Sequence, residues 1–254
     1  MDIKGQVAIV TGSAAGVGSA TARLLASNGC NVVINYTRSV DDAKATQAAC
    51  EAEGVETLLV KANVGDDADC RRMVAETMDK WGRVDALVNN AGTTKYVAHD
   101  DLEGLTPEDF EDIFKVNVFG VYQMTRAVSP HMKAAGRGAV VNVSSIAGVY
   151  GAGSSIAYAA SKGAVNTMTM SLARALAPEI RVNAICPGFI SGRWQAAGMG
   201  STEKYEERIA LVEKGTPLQR ANTPEDIAET ILWFIEGARW VTGETLLVDA
   251  GSHL

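Results

Sequence analysis

The sequence predicts an α/β domain in which helices cover both faces of a doubly wound parallel sheet. Three observations predict it. Seven short runs rich in Val, Leu and Ile recur along the chain with helical stretches between them. Those runs are almost continuously apolar, as strands covered on both faces of a parallel sheet should be. Helix starts carry recognisable caps, and strict strand–helix alternation implies right-handed crossovers between parallel strands.

In order, the first strand is VAIV (7–10), followed by a turn holding three glycines and an amphipathic helix. NVVINY (31–36) is the second, and SVDD (39–42) after it offers Ser39 as a helix cap with acids near the positive end of the helix dipole. TLLVK (57–61), ALVNN (86–90) and AVVNVSS (139–145) are the third to fifth. RVNAI (181–185) and TLLVD (245–249) are the last two. TPED occurs at 106–109 and again at 223–226, each time with Thr as cap, Pro at the first helical position and acid in the first turn. From Ala157 to Ala177 a small-residue helix is expected, with Lys162 and Arg174 its only charged side chains. The stretch 189–223 breaks the rhythm. It follows a strand's carboxyl end with a weak helical pattern, so residues 190–215 are expected to form a substrate lid.

No repeat, low-complexity tract or Pro/Gly-rich linker divides the 254 residues, so one domain spanning 1–254 is expected. A net charge of −7 excludes a global basic field for nucleic acid. Cys30, Cys50, Cys70 and Cys186 lack metal-ligand spacing, and His99, His131 and His253 are scattered and read as surface residues, so no metal centre is expected. The N-terminus runs straight into a strand, without a leader pattern or a bilayer-spanning run. A cytoplasmic protein with reduced thiols and no membrane partner is the expectation.

Gly12, Gly16 and Gly18 lie between the first strand and its helix, where tight turning and close approach of a pyrophosphate favour residues without a Cβ. The spacing differs from the commoner G-x-G-x-x-G, but after the first strand of a long βαβ pattern it points to a dinucleotide and a Rossmann-type sheet. At the end of the second strand Tyr36 stands where an acid would bind the ribose 2′-hydroxyl of NAD, and Arg38 follows. Loss of the acid and gain of a cation favour NADP(H) over NAD(H).

TGSAAGVG (11–18), NNAG (89–92), the Asn of FKVNVFG, VNVSS (141–145), YAASK (158–162) and ICPGF (185–189) occur in register along the chain. Together they resemble the short-chain dehydrogenase/reductase family, and within it the 3-oxoacyl-acyl-carrier-protein reductase-like members. The resemblance implies a tetrad of Asn117, Ser145, Tyr158 and Lys162. Tyr158 is then the proton donor, Ser145 the hydroxyl on the substrate oxygen, Lys162 a ribose ligand and Asn117 the holder of a relay water. Tyr158 and Lys162, four apart, share a helix face. A nearby cation favours the phenolate, so Lys162 is expected to lower the Tyr158 pKa toward the working pH. Ser144 is the neighbour most easily confused with Ser145, and strand alternation points the two side chains opposite ways.

The resemblance also places Ser13, Val17, Ser39, Asn63, Val64, Asn90, Ala91, Gly92, Pro187, Gly188 and Ile190 at the cofactor. Two departures stand out: Gly192 takes the place of a frequent Thr after the PG pair, and Asn63–Val64 replaces a frequent Asp–Val. Tyr96, Tyr150, Phe189, Trp194 and Met199 are candidate substrate walls. Lys133, Arg137 and Arg174 are the candidate docking patch should the substrate ride on an acidic carrier. A general NADP(H)-dependent ketone or aldehyde reductase ranks first and a carrier-protein reductase second. A non-catalytic dinucleotide sensor is disfavoured by the intact tetrad. A homotetramer is expected from the small-residue helix and the resemblance.

Overall fold

The computed structural model describes residues 1–254. Its strands are β1 (Val7–Val10), β2 (Asn31–Tyr36), β3 (Thr57–Lys61), β4 (Ala86–Asn89), β5 (Gly138–Val143), β6 (Ile180–Pro187) and β7 (Thr245–Val248). They form one sheet in the order β3-β2-β1-β4-β5-β6-β7, and every neighbouring pair is parallel. The helices are α1 (Gly16–Ser27), α2 (Val40–Glu51), α3 (Asp67–Trp81), α4 (Pro107–Phe114), α5 (Gly120–Ala134), α6 (Ala147–Tyr150), α7 (Ile156–Leu176), α8 (Arg193–Met199), α9 (Thr202–Gly215) and α10 (Pro224–Glu236).

Strand alternation divides the core. Ala8, Val10, Val32 and Ile34 face a layer containing Leu25 of α1 and Ile231 and Phe234 of α10. Ile9 and Val33 face Met73 of α3, Met124 and Val128 of α5 and Ala173 of α7. Both layers are buried, which is why the strands read as continuous apolar runs. β1 pairs with β2 on one side and β4 on the other, so the strand order reverses there. A crevice opens beyond the carboxyl ends of such strands, and ligands bind in it.

Both TPED segments form capping boxes, with Thr106 and Asp109 at α4 and Thr223 and Asp226 at α10. Ser39 sits at the cap position of α2 but its side chain makes no capping bond, so the expected cap there is absent. β5 stops at Val143, leaving Ser144 and Ser145 just beyond the strand, whereas the expected strand ran to 145. A π-helical turn, Lys115–Phe119, joins α4 to α5. The expected lid is two short helices, α8 and α9, neither of which has a fully buried residue. All four cysteines are free and buried. His99 and His131 are partly buried rather than at the surface, since a lone polar residue carries no periodic signal of its side; His253 is exposed and rests 3.0 Å from Asp249.

Candidate active site

The crevice is walled first by the glycine turn. Gly12 takes φ +62°, and a Cβ there would lie 2.9 Å from the Ala91 Cα. A Cβ on Gly18 would lie 2.5 Å from both Asn90 Nδ2 and the Gly12 carbonyl oxygen. The N–H groups of residues 14–18 find no acceptor within the chain and stand at the N-terminus of α1. Free donors, a helix N-terminus and missing side chains together fit a phosphate-bearing dinucleotide. Asn90 ties this turn to β4: its Nδ2 donates to the Thr11 and Gly12 carbonyls, and its N–H, like that of Ala91, donates to Thr11 Oγ1. Val17 lies within the same helix start.

Ser13 departs from the expectation. Its side chain is fully buried, its Oγ donates to the Val10 carbonyl and accepts from Asn35 N–H, and its own N–H donates to the Asn35 carbonyl. Both groups serve the turn, so neither faces a ligand. The Val64 side chain is buried in the core against Gly120. Asn63 accepts from Gly65 N–H and gives its own N–H to Asp69. With Thr37, Lys61 and Ala62 it lines a cleft of about 290 Å³ beside the end of β2. Tyr36 is partly buried there, while Arg38 and Ser39 are exposed, and Arg38 has no ion-pair partner. Lys61, which lies opposite Tyr36 in the register, is a second cation that the sequence reading missed.

The tetrad residues converge on the other side of the crevice. Ser155 caps α7 by accepting from Tyr158 N–H, which fixes where the tyrosine enters the helix. Lys162 is buried, with Nζ 2.8 Å from the Val143 carbonyl and 5.6 Å from the Tyr158 ring centre. A Cβ on Gly92 would lie 3.5 Å from Asn117 Oδ1 and 3.8 Å from Lys162 Nζ, so the NNAG segment passes close to both. Asn117, in the π-turn, is 1% exposed. Its Oδ1 accepts from Thr93 N–H at 2.8 Å, and its Nδ2 donates to the Thr93 carbonyl and Ser161 Oγ. Single π-turns inside helices recur at functional sites. Ser144 is buried and donates to the Lys162 carbonyl, whereas Ser145 is partly exposed and accepts from Ala147 N–H. The two serines do diverge.

Electrostatics differ from the expectation at Tyr158. Burial pushes its phenol up to about 12, with the Ser145 hydroxyl pulling the other way and Tyr96 adding to the rise. The lysine does not lower it. Burial brings Lys162 down to about 8, and its ammonium donates to the Val143 carbonyl.

The candidate substrate walls are gathered only in part. The Tyr96 hydroxyl donates to the Trp194 carbonyl, and a Cβ on Gly198 would overlap the Tyr96 ring. This joins the loop after β4 to α8. Phe189 and Met199 are partly buried at either end of that segment. Tyr150 is 50% exposed and makes no hydrogen bond to the tetrad. Pro187 ends β6 and its carbonyl accepts from Ile146 N–H; Gly188 packs against Asp249, and Ile190 bridges to Asn222. Lys133, Arg137 and Arg174 do not approach the crevice. Lys133 and Arg174 lie in the last turns of α5 and α7, and Arg137 reaches Gln6 at 3.1 Å ahead of β1. All three belong to the sheet's amino edge, because helices after parallel strands run back to it. The docking patch they were to form is therefore absent from the site.

Residues 12–253 match the profile of the family described as Enoyl-(Acyl carrier protein) reductase. The chain is 44% identical over 248 residues to a Streptomyces violaceoruber protein named as candidate ketoacyl reductase 2 of the granaticin polyketide synthase, covering 98% of this chain and 96% of that one. A short-chain dehydrogenase/reductase from Burkholderia xenovorans superposes with TM-score 0.91 at 40% identity, covering 98% of both chains. The NAD+-bound crystal structure of a xylitol dehydrogenase superposes with TM-score 0.88 at 27% identity, covering 98% of this chain and 99% of that one. Matches of this extent, over a sheet whose crevice brings the six motifs together, leave one assignment: the chain belongs to the short-chain dehydrogenase/reductase family of pyridine-nucleotide oxidoreductases.

Proposed function

We propose that the protein reduces a ketone, 3-oxoacyl or aldehyde carbonyl with NADP(H) in preference to NAD(H), using Tyr158 as proton donor. The observation that carries this is the pairing of Tyr158 with buried Lys162 at the sheet's carboxyl edge, facing the unpartnered N–H groups of the glycine turn. When bound there, the nicotinamide supplies hydride. The turn seats the pyrophosphate on the N–H groups of residues 14–18, and Asn63, the Val64 backbone, Asn90, Ala91, Gly92, Pro187, Gly188 and Ile190 border the rest.

A phenol with a pKa of about 12 is protonated at neutral pH and ready to give its proton to a carbonyl oxygen. Ser145 Oγ accepts from Ala147 and its hydroxyl lies beside the Tyr158 phenol, where it can donate to the same oxygen. Of the three donors on Lys162 Nζ, one is engaged by Val143, and the others are available to ribose hydroxyls. Asn117 has both amide groups engaged, so we assign its side chain to holding Thr93 and Ser161 in place rather than to holding a relay water.

For the cofactor, Tyr36 cannot repel a 2′-phosphate as a carboxylate would, and unpaired Arg38 and nearby Lys61 both supply positive charge. A guanidinium–phosphate contact is worth about 1.5–3 kcal/mol, hence roughly ten- to more than a hundred-fold in kcat/KM. Paired steady-state kinetics on one carbonyl substrate test the reading: Arg38→Ala should lose that factor with NADPH and almost nothing with NADH. Wild-type preference for NADH, or equal loss with both, overturns it. A panel of free ketones, aldehydes and carrier-bound 3-oxoacyl substrates decides the substrate; the candidate ketoacyl reductase relative supports the last class. We also propose a cytoplasmic homotetramer, supported by exposed Phe119 and Tyr122 on and beside α5 and Met170 on α7.

A further inference from the structure

We propose that Asn35 is a positioning residue that locks the phosphate seat to the adenosine end of the crevice. It is 2% exposed, next to last in β2, and its side chain bonds three backbone groups in two separate segments. Oδ1 accepts from Gly12 N–H at 2.9 Å, holding the glycine turn from the side opposite Asn90. Nδ2 donates to the Val60 and Ala62 carbonyls at 3.3 and 2.9 Å, fixing the end of β3 just before Asn63 and the cleft beside Lys61. The backbone of Asn35 completes the clamp: its N–H donates to Ser13 Oγ and its carbonyl accepts from Ser13 N–H.

An aliphatic residue would suit a strand covered on both faces, as Val33 and Ile34 do. An amide here is costly to bury unless each polar group is paired, and each one is. The two amide groups have opposite polarity, as the site requires: an acceptor toward the turn's N–H and donors toward two carbonyls. A carboxylate would set negative charge against those carbonyls, and a serine would span neither gap. Asn35 thus sets the separation between the pyrophosphate seat and the 2′-phosphate cations, although it need not touch the cofactor. The proposal rests on reading the glycine turn as the dinucleotide seat.

The test uses the full-length protein, with Asn183→Ser as a matched control. Asn183 is equally buried and clamps β6 to residues 241 and 244, ahead of β7 at the amino edge. Dissociation constants for NADPH and NADH come from fluorescence titration, amide exchange at Gly12 and Ser13 from hydrogen exchange, and Tm from thermal unfolding. Asn35→Ser should weaken both cofactors by about tenfold or more and speed exchange at the two amides. Asn183→Ser should lower Tm and leave both constants within about twofold. Ser13→Ala, which removes the acceptor of the Asn35 N–H and keeps the Asn35 side chain, should weaken both cofactors in the same sense by a smaller factor, and it carries the test if Asn35→Ser does not fold. Unchanged constants in Asn35→Ser and Ser13→Ala, beside a wild type that binds, overturn the proposal alone. A wild type that binds neither dinucleotide overturns the cofactor reading and this proposal with it. A loss with NADPH only also overturns it, since a clamp on the shared seat acts on both.

Discussion

Two segments border the sheet's carboxyl edge, and they are held in contrasting ways. The glycine turn after β1 is bound on every side: Asn90 and Thr11 tie it to β4, and Asn35 and Ser13 tie it to β2. The segment of α8 and α9, the expected lid, has no buried residue, and its attachments are few. Tyr96 donates to the Trp194 carbonyl and Arg193 pairs with Asp42, while Tyr205 accepts from Gly192 N–H within the segment itself. The glycine turn leaves the N–H groups of residues 14–18 unpartnered while the second segment is mostly helix, so the difference lies in how many bonds from neighbouring strands tie each one down. A seat for a pyrophosphate must have its N–H groups aimed before the ligand arrives, whereas a cover must open and close.

The tetrad sides with the rigid segment, and the largest effect should come from there. Tyr158→Phe keeps the ring and its packing but removes the proton. The expected result is a fall in kcat of about 10²–10⁴-fold with cofactor affinity nearly unchanged. Steady-state kinetics with a parallel binding titration measure it, and a Phe variant retaining most of its kcat would show that the proton comes from elsewhere.

A glycine from each segment gives the next test. Gly18→Ala forces a methyl against the Asn90 amide and the Gly12 carbonyl, so the turn must shift. Overpacking of this kind costs about 1–3 kcal/mol, and cofactor affinity should fall with it. Gly215→Ala at the end of α9 meets nothing within 4 Å and should be neutral or stabilising by about 0.4–1 kcal/mol. Chemical denaturation of both variants decides. Equal costs would mean that the lid is packed as tightly as the turn.

What the sequence revealed follows the same division. All seven strands were legible because continuous burial writes Val, Ile and Leu into consecutive positions, and Thr106 and Thr223 were legible because capping is local. The family motifs located Tyr158 and Lys162 for the same reason, being four residues apart on one helix. What escaped was pairing at long range. Asn35 bonding Gly12, Lys61 lying beside Tyr36, and Arg193 reaching Asp42 leave no pattern within a window of neighbouring residues. The resemblance names Ser13 and Val64 as residues at the cofactor and is silent about their side chains, because a motif marks the position of a residue and not the direction of its side chain. The expectation that Lys162 tunes Tyr158 rests on spacing, which is silent about burial and about the Val143 carbonyl that takes one of the ammonium's protons in a hydrogen bond.

Lys162 also yields a pH signature of the rigid segment. Burial lowers its folded pKa to about 8 from 10.5 in the free side chain. At Lys162 the folded state therefore binds fewer protons than the unfolded state between those values, so this side chain's own contribution to stability should rise with pH from about 8 to 10.5, against the fall that the raised thiols of Cys30, Cys50, Cys70 and Cys186 impose above about 9. Below pH 8 the buried charge is a net cost, on the order of 3 kcal/mol at 1.36 kcal/mol per pKa unit. Lys162→Met removes that cost but leaves the Val143 carbonyl unpaired, which returns about 1–3 kcal/mol. The variant should thus be inactive, about as stable as wild type at pH 7, and progressively less stable than wild type as pH rises above 8. Urea titrations at pH 7, 8, 9 and 10 read the slope; the same slope in the variant would assign it to another group.

The smallest effect belongs to the lid's ion pair. α8 follows β6 and α2 follows β2, and three strands stand between these in the sheet, so Arg193 and Asp42 meet across the crevice. The pair is 3.2 Å apart with side chains 73% and 38% exposed, where such contacts contribute about 0.2–1 kcal/mol and weaken with salt. Global stability should therefore not change measurably in Arg193→Ala or Asp42→Asn. If the pair fastens the lid over bound dinucleotide, release should quicken by no more than about fivefold in either variant. The double variant should add nothing to the single ones, because both remove the same contact. Wild-type release should speed up with salt toward the variants' rate. Stopped-flow displacement of NADPH at low and high ionic strength measures this, alongside hydrogen exchange over 190–215, which should slow when cofactor and substrate bind. Additive effects in the double variant would mean that the two side chains act separately, and equal strong protection of the lid with and without ligands would mean that it does not open.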